Sequence, residues 1–116
     1  AEGYPAGEMK HGPLALIEEG IPVVVIAPRD KYYEKTLSNM QEVIARGAKV
    51  LLISNKSKDE ISSENIWKKI EVEKTSDELL PFLLTLPLQK LALHAAKNKG
   101  YDIDKPRNLA KSVTVE

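Results

Sequence analysis

Lys111 is the residue with the clearest capacity for chemistry. It lies five residues before the end of the sequence, in the run Arg107-Asn-Leu-Ala-Lys-Ser112. A deprotonated amine attacks a carbonyl carbon and forms an imine, but a lysine ordinarily loses its proton near pH 10.4, so burial or a neighbouring cation must lower that value. Pro106 stiffens the approach to this run. The pattern fits a tail that carries a lysine into a site, and it also fits an ordinary solvated lysine.

His11 is the second candidate. It precedes Gly12-Pro13, and proline at a first helical position together with the later Gly20 predicts a short helix over residues 13–19. The positive end of a helix disfavours imidazolium, so this placement favours a neutral ring that can act as a base. The alternative is a histidine that only hydrogen-bonds a turn.

Two short apolar runs predict the strands that would position these residues. Residues 22–28 and 49–54 are rich in β-branched side chains and show no polar alternation. Strands that are apolar on both faces belong inside a parallel sheet covered by helices. Residues 66–72 predict a third strand, and their charged side chains place it at or near an edge of the sheet. A polar loop is expected over residues 55–63.

Two longer segments predict helices. Tyr33, Leu37, Met40 and Ile44 form one apolar stripe, with Asp30 as a possible cap before it and Gly47 as a stop after it.

The second helical segment is a long apolar region that ends near Asn98. Thr75 to Glu78 has the spacing of a capping box, although Pro81 moves the expected start of the regular helix towards Leu80. Pro87 falls within the pattern, so we expect a kink or a break there.

This order of elements predicts an α/β fold, a three-layer αβα sandwich with a parallel sheet and an irregular C-terminal tail. Residues 1–103 form the domain part and residues 104–116 the tail. Three strands are few for this architecture, and the first residue is not Met. We therefore expect the chain to be a piece of a longer protein.

The composition excludes several classes of function. The 116 residues carry 17 basic and 17 acidic side chains, which argues against a nucleic-acid surface. Two histidines and no cysteine are too few for a His/Cys zinc site, and the absence of cysteine suits a reducing compartment such as the cytoplasm. The longest apolar run, residues 79–88, is too short to span a membrane.

Two blocks at the ends of the chain carry a family resemblance. Pro106-Arg-Asn-Leu-Ala-Lys-Ser-Val-Thr-Val-Glu116 resembles the C-terminus of the glutamine–fructose-6-phosphate aminotransferases (glucosamine-6-phosphate synthases). Ala1-Glu-Gly-Tyr-Pro-Ala-Gly-Glu-Met-Lys-His-Gly-Pro-Leu-Ala-Leu-Ile17 resembles a segment of that family's second sugar-isomerase (SIS) domain. Residues 86–94 and 100–104 fit as well. The resemblance implies that the chain is the later part of this SIS domain.

The resemblance also implies roles for individual residues. Lys111 would attack the C2 carbonyl of open-chain fructose 6-phosphate and form a Schiff base. His11 would assist ring opening and reach into the site of the other subunit of a homodimer. The backbone of Ala110 would lie against the sugar, and Leu109 and Ala110 would line the path of glutamine-derived ammonia from an upstream glutaminase domain, although simple packing explains Leu109 equally well.

The catalytic glutamate of the family lies upstream of the matched block, so Glu8 receives no role, and no metal or organic cofactor is implied. Two alternatives stay open. One is a non-catalytic SIS module that senses a sugar phosphate, and the other is a dimerisation half-domain. We expect this chain alone to show no synthase activity.

Overall fold

A computed structural model describes residues 1–57 and 65–105 of the chain. Two short 3₁₀ helices, η1 and η2, come first and are followed by strands and α-helices in the order β1-α1-β2-β3-α2. Their bounds are η1 Ala6–His11, η2 Pro13–Leu16, β1 Pro22–Ile26, α1 Tyr33–Ala45, β2 Lys49–Asn55, β3 Lys68–Val72 and α2 Leu80–Asn98. The internal contacts divide the chain into two units, Ala1–Leu84 and Thr85–Glu116.

The sheet of the first unit is parallel throughout, with the strand order β1-β2-β3. Ile53 on the central strand lies opposite Ile26 on one side and Ile70 on the other. The α/β class and the parallel sheet are therefore confirmed. The third strand lies at an edge of the described sheet, as its charged residues predicted.

Helix α1 covers one face of the sheet and forms the core with it. Tyr33, Met40 and Val43 of the helix are buried against Val50 and Leu52 of β2. Leu37 and Ile44, the other members of the predicted stripe, are half-buried and pack against the same cluster. The apolar stripe of α1 packs against the apolar side chains of β2 on this face, and burial of both surfaces stabilises the contact.

The opposite face of the sheet is more open than the sequence predicted. Val24 and Ile70 are each 37% exposed and Ile26 is 42% exposed, whereas Val23 and Val25 are half-buried under α1. The prediction that the first strand is buried on both faces is therefore wrong for the described residues. Side chains of a strand alternate between faces, and along β1 those on the α1 side are the more buried of the two sets.

Two turns, one at Gly20 before β1 and one at Gly47 before β2, place these strands side by side in the sheet. Helix α1 ends at Ala45, and Gly47 follows with φ +86°, as its type and position predicted. The Gly20 N–H donates to the Gly47 carbonyl at 2.7 Å, and the Lys49 N–H donates to the Ile21 carbonyl at 2.8 Å. A Cβ on Gly47 would lie 3.0 Å from the Glu19 Cα, so the turns are in close contact.

Helix α2 begins at Leu80, where Pro81 predicted the regular helix to start. The Leu80 N–H donates to the Ser76 carbonyl at 3.0 Å, so the chain already turns before the helix begins. The helix then runs through Pro87 without interruption, so of the predicted kink or break the break is wrong, and the kink stays a prediction. A proline removes one main-chain donor, and the turns on either side hold this long helix together.

Two features are absent from the described ranges. No helix there is long and apolar enough to cross a membrane. No group of three or more His, Cys, Asp or Glu side chains is placed to hold a metal ion in residues 1–57 and 65–105.

Candidate functional site

His11 is the last residue of η1 and its side chain is exposed. The turn before it is set by the Glu8 N–H, which donates to the Pro5 carbonyl at 2.9 Å. Gly12 follows with φ +145°, a conformation that side chains with a Cβ rarely adopt, and it separates η1 from η2. His11 is therefore held at a sharp change of chain direction.

The helix predicted over residues 13–19 is shorter and of a different type. It is the 3₁₀ turn Pro13–Leu16, with Pro13 at its first position as predicted. The Ala15 N–H donates to the Gly12 carbonyl at 2.9 Å, and Ile17 is already extended. A helix dipole needs several aligned peptide units, and this four-residue turn does not supply the helix end that was predicted beside His11.

Apolar side chains on both sides of His11 hold this segment against the core. Met9, Leu14 and Ile17 are half-buried and pack against the cluster built by α1 and β2. No residue of η1 or η2 is fully buried. The segment that carries His11 is thus fixed to α1 by a few side chains and lies at the surface.

An ion pair adds a polar link between the same two elements. The Lys10 Nζ atom lies 2.8 Å from the Glu42 Oε1 atom of α1. The Lys10 and Glu42 side chains are 57% and 36% exposed. No local pattern predicts this contact, because the two residues are far apart along the chain and each is an ordinary surface type.

A polar cluster lies where β1 and β2 end. The Ser54 hydroxyl donates to the Ala27 carbonyl at 2.7 Å, and the Arg29 N–H donates to the Asn55 Oδ1 atom at 2.8 Å. Ser54 and Asn55 are buried. Strand β2 includes Asn55, so the polar loop predicted to begin at residue 55 begins after it. These bonds tie together the carboxyl ends of two neighbouring strands.

Tyr33 lies beside this cluster at the start of α1. The Arg29 guanidinium carbon is 4.9 Å from the centre of the Tyr33 ring. The Tyr33 hydroxyl is buried and has no hydrogen-bond partner among the described residues, although the Ser54 hydroxyl is near it. Burial raises the pKa of the Tyr33 phenol, the Arg29 charge opposes that rise, and the Glu34 charge adds to it.

The described chain ends just before the predicted tail site. The Asp102 Oδ1 atom accepts hydrogen bonds from the main-chain N–H groups of Asp104 at 2.9 Å and Lys105 at 3.1 Å. Leu109, Ala110 and Lys111 lie outside the described residues. Of the predicted catalytic pair, the structure therefore describes His11.

Comparison with protein families gives the class. The family model for the SIS domain matches residues 1–99, and the chain belongs to that family. The parallel sheet with α1 on one face is the part of the match that the structure describes most fully.

Comparison with curated proteins is more specific. Over all 116 residues the chain is 54% identical to glutamine–fructose-6-phosphate aminotransferase [isomerizing] of Brucella abortus and 53% identical to the protein of that name from Aquifex aeolicus. It is also similar to a solved structure, the C-terminal domain of glucosamine-fructose-6-phosphate aminotransferase from Francisella tularensis. That likeness has a TM-score of 0.80 and 44% identity, and covers 86% of this chain and 28% of that one. The chain spans 19% of the length of the curated relatives.

Proposed function

We propose that this chain is the C-terminal part of a synthase that makes glucosamine 6-phosphate from fructose 6-phosphate and glutamine. The observation that supports this most strongly is 54% identity over the whole chain, without a segment left unmatched, to relatives named for aminotransfer with isomerisation. The matched region includes the ends of the chain, where both candidate catalytic residues lie.

In this proposal Lys111 holds the ketose. Its neutral amine attacks C2 of the open-chain sugar, and loss of water from the resulting carbinolamine leaves an imine between Nζ and C2. Ammonia then adds to C2 and the Lys111 amine leaves, which gives the imine of ammonia at C2. In its protonated form this imine makes a C1 proton acidic, and a carboxylate moves that proton from C1 to C2 while the C1 hydroxyl group becomes the aldehyde. That carboxylate is a glutamate upstream of Ala1.

His11 acts before this step. Fructose 6-phosphate is mainly a closed furanose, and its carbonyl is released when the anomeric hydroxyl loses a proton and the ring oxygen gains one. An exposed imidazole at the surface of η1 is free to reach a neighbouring subunit and to relay such a proton. The proposal therefore includes a homodimer, in which His11 serves the site of the other subunit.

The tail also carries the contacts proposed for ammonia and sugar. Leu109 and Ala110 line the path of ammonia from an upstream glutaminase domain, and the Ala110 backbone lies against the sugar. A small apolar wall keeps ammonia uncharged, because ions are poorly solvated by such surfaces. No cofactor takes part, and the whole protein works in the cytoplasm.

Trapping of the imine tests the proposal. The full-length protein is incubated with fructose 6-phosphate and borohydride, and its peptides are mapped by mass spectrometry. We expect a reduced hexitol phosphate adduct on the peptide that contains Lys111. Lys111→Arg keeps the charge but cannot form this imine, so it is expected to abolish the adduct and glucosamine 6-phosphate formation.

The same experiment decides against the proposal if sugar binds and the Lys111 peptide stays unmodified. Binding without an adduct would favour the alternative, a non-catalytic SIS module that senses a sugar phosphate.

A further inference from the structure

Three consecutive side chains at the end of η1 have three different surroundings. Met9 packs against the core, Lys10 pairs with Glu42 of α1, and His11 is exposed. A 3₁₀ helix has three residues per turn, so successive side chains point about 120° apart. The direction of the His11 side chain is therefore set by the contacts of Met9 and Lys10.

The other restraints on this segment are weak. No residue of η1 is fully buried, and Gly12 directly after His11 lacks the Cβ that would limit rotation of the chain. Met9 is the η1 side chain that packs against the core, while Leu14 and Ile17 anchor the chain after Gly12, so rotation of η1 about Met9 is only partly restrained. The 2.8 Å contact between Lys10 and Glu42 supplies a second point of attachment on α1.

We propose that Glu42 is a positioning residue, which fixes the direction of the His11 imidazole through its ion pair with Lys10. The inference rests on the proposed function of His11 in ring opening. Glu42 acts through Lys10 and is not proposed to contact the sugar or His11 itself. The exposed pair contributes little to folding stability, so loss of the pair should alter the aim of His11 while the fold is kept.

A substrate that cannot close its ring separates positioning from a general structural effect. 5-Deoxyfructose 6-phosphate lacks the hydroxyl that forms the furanose and stays open. In the full-length protein, Glu42→Gln is expected to lower kcat/KM for fructose 6-phosphate about threefold, because an exposed ion pair shifts the balance between two side-chain directions by no more than about fivefold. The same variant should use the 5-deoxy substrate as well as the wild type does.

Charge reversal provides the rescue. Lys10→Glu and Glu42→Lys should each show the defect on fructose 6-phosphate, and the double variant should regain most of the activity, because the pair is re-formed with opposite polarity. Glu34→Gln is the matched control. It removes the same charge from the same helix, and Glu34 forms no ion pair within residues 1–57 and 65–105, so no change is expected.

His11→Asn distinguishes failure of this inference from failure of the proposed function. It should lose turnover of fructose 6-phosphate and keep turnover of the 5-deoxy substrate. If His11→Asn turns over both substrates as the wild type does, the proposed function of His11 is wrong. If His11→Asn behaves as expected but Glu42→Gln has no effect, or lowers turnover of both substrates equally, or is not rescued by charge reversal, the positioning role of Glu42 is wrong.

Discussion

The Tyr33 hydroxyl is a buried polar group whose surroundings fit it poorly. The residue is only 8% exposed, and its hydroxyl finds no hydrogen-bond partner among the described residues. The Tyr33 ring, by contrast, makes favourable contacts, since it packs in the core and lies beneath the Arg29 guanidinium. A buried donor without an acceptor destabilises the folded protein, whereas burial of the aromatic ring stabilises it.

Tyr33→Phe therefore removes a cost and keeps the packing. We expect the free energy of unfolding at pH 7, measured by urea denaturation, to stay the same or to rise by up to about 1 kcal/mol. Tyr32→Phe, at a neighbouring residue that is 56% exposed, should leave it unchanged. A loss of more than about 1 kcal/mol in Tyr33→Phe would mean that the hydroxyl has a partner after all.

The same residue predicts a dependence on pH. The pKa of Tyr33 is raised in the folded protein, chiefly by burial, so the unfolded chain loses its phenol proton at lower pH than the folded protein does. The unfolded state then binds fewer protons, and stability falls as pH rises above about 10. Tyr33→Phe should remove this part of the alkaline loss, which urea denaturation at pH 9 to 11 would measure. An identical alkaline slope in the variant would contradict it.

At the scale of elements, the turn between α1 and β2 is the tightest connection described. Gly47 combines a positive φ with a close approach to the backbone of Glu19. Any side chain there must adopt an unfavourable φ and must also push on main-chain atoms, which cannot move away as a flexible side chain can.

Gly47→Ala is expected to lower the free energy of unfolding by about 2–3 kcal/mol. Gly20→Ala is the matched control, because Gly20 has a similar φ of +80° but open space around the position of a Cβ. It should lose only the conformational part, about 1 kcal/mol. Equal losses in the two variants, by urea denaturation, would show that the contact with Glu19 is unimportant.

The elements were predictable from the sequence to different degrees. Helix α1 and the central strand follow from local patterns, a stripe at helical spacing and a short β-branched run, and both were found. The 3₁₀ geometry around His11 was not predicted, because proline at a helix start does not distinguish a 3₁₀ turn from an α-helix. The continuity of α2 through Pro87 depends on the stability of the whole helix, which a single residue type does not reveal.

The sequence suggests residues for the candidate site, which stay a prediction, and does not reveal the contacts around them. His11 stood out because it directly precedes Gly12-Pro13, at the expected start of a helix. The Lys10–Glu42 pair joins residues distant in sequence, and the burial of Ser54 and Asn55 depends on how two strands end side by side. Contacts of this kind are set by the tertiary fold, and no local pattern encodes them.

For the molecule as a whole, we expect the chain to be too small a part of the proposed enzyme to act alone. It spans 19% of the length of its curated relatives, and the proposed glutamate and the glutaminase domain lie beyond it. We expect the 116 residues in isolation to form no glucosamine 6-phosphate from fructose 6-phosphate and glutamine, assayed by chromatography. Product above a no-protein blank would refute this, and full-length protein is the positive control.

The two main-chain bonds between the turns, Gly20 to Gly47 and Lys49 to Ile21, have one more consequence. They close the amino-terminal rim of the sheet, where strand ends otherwise fray. The amide hydrogens of Gly20 and Lys49 should therefore exchange with deuterium as slowly as those in the middle of β2. The first two strands should also open to solvent as a single unit.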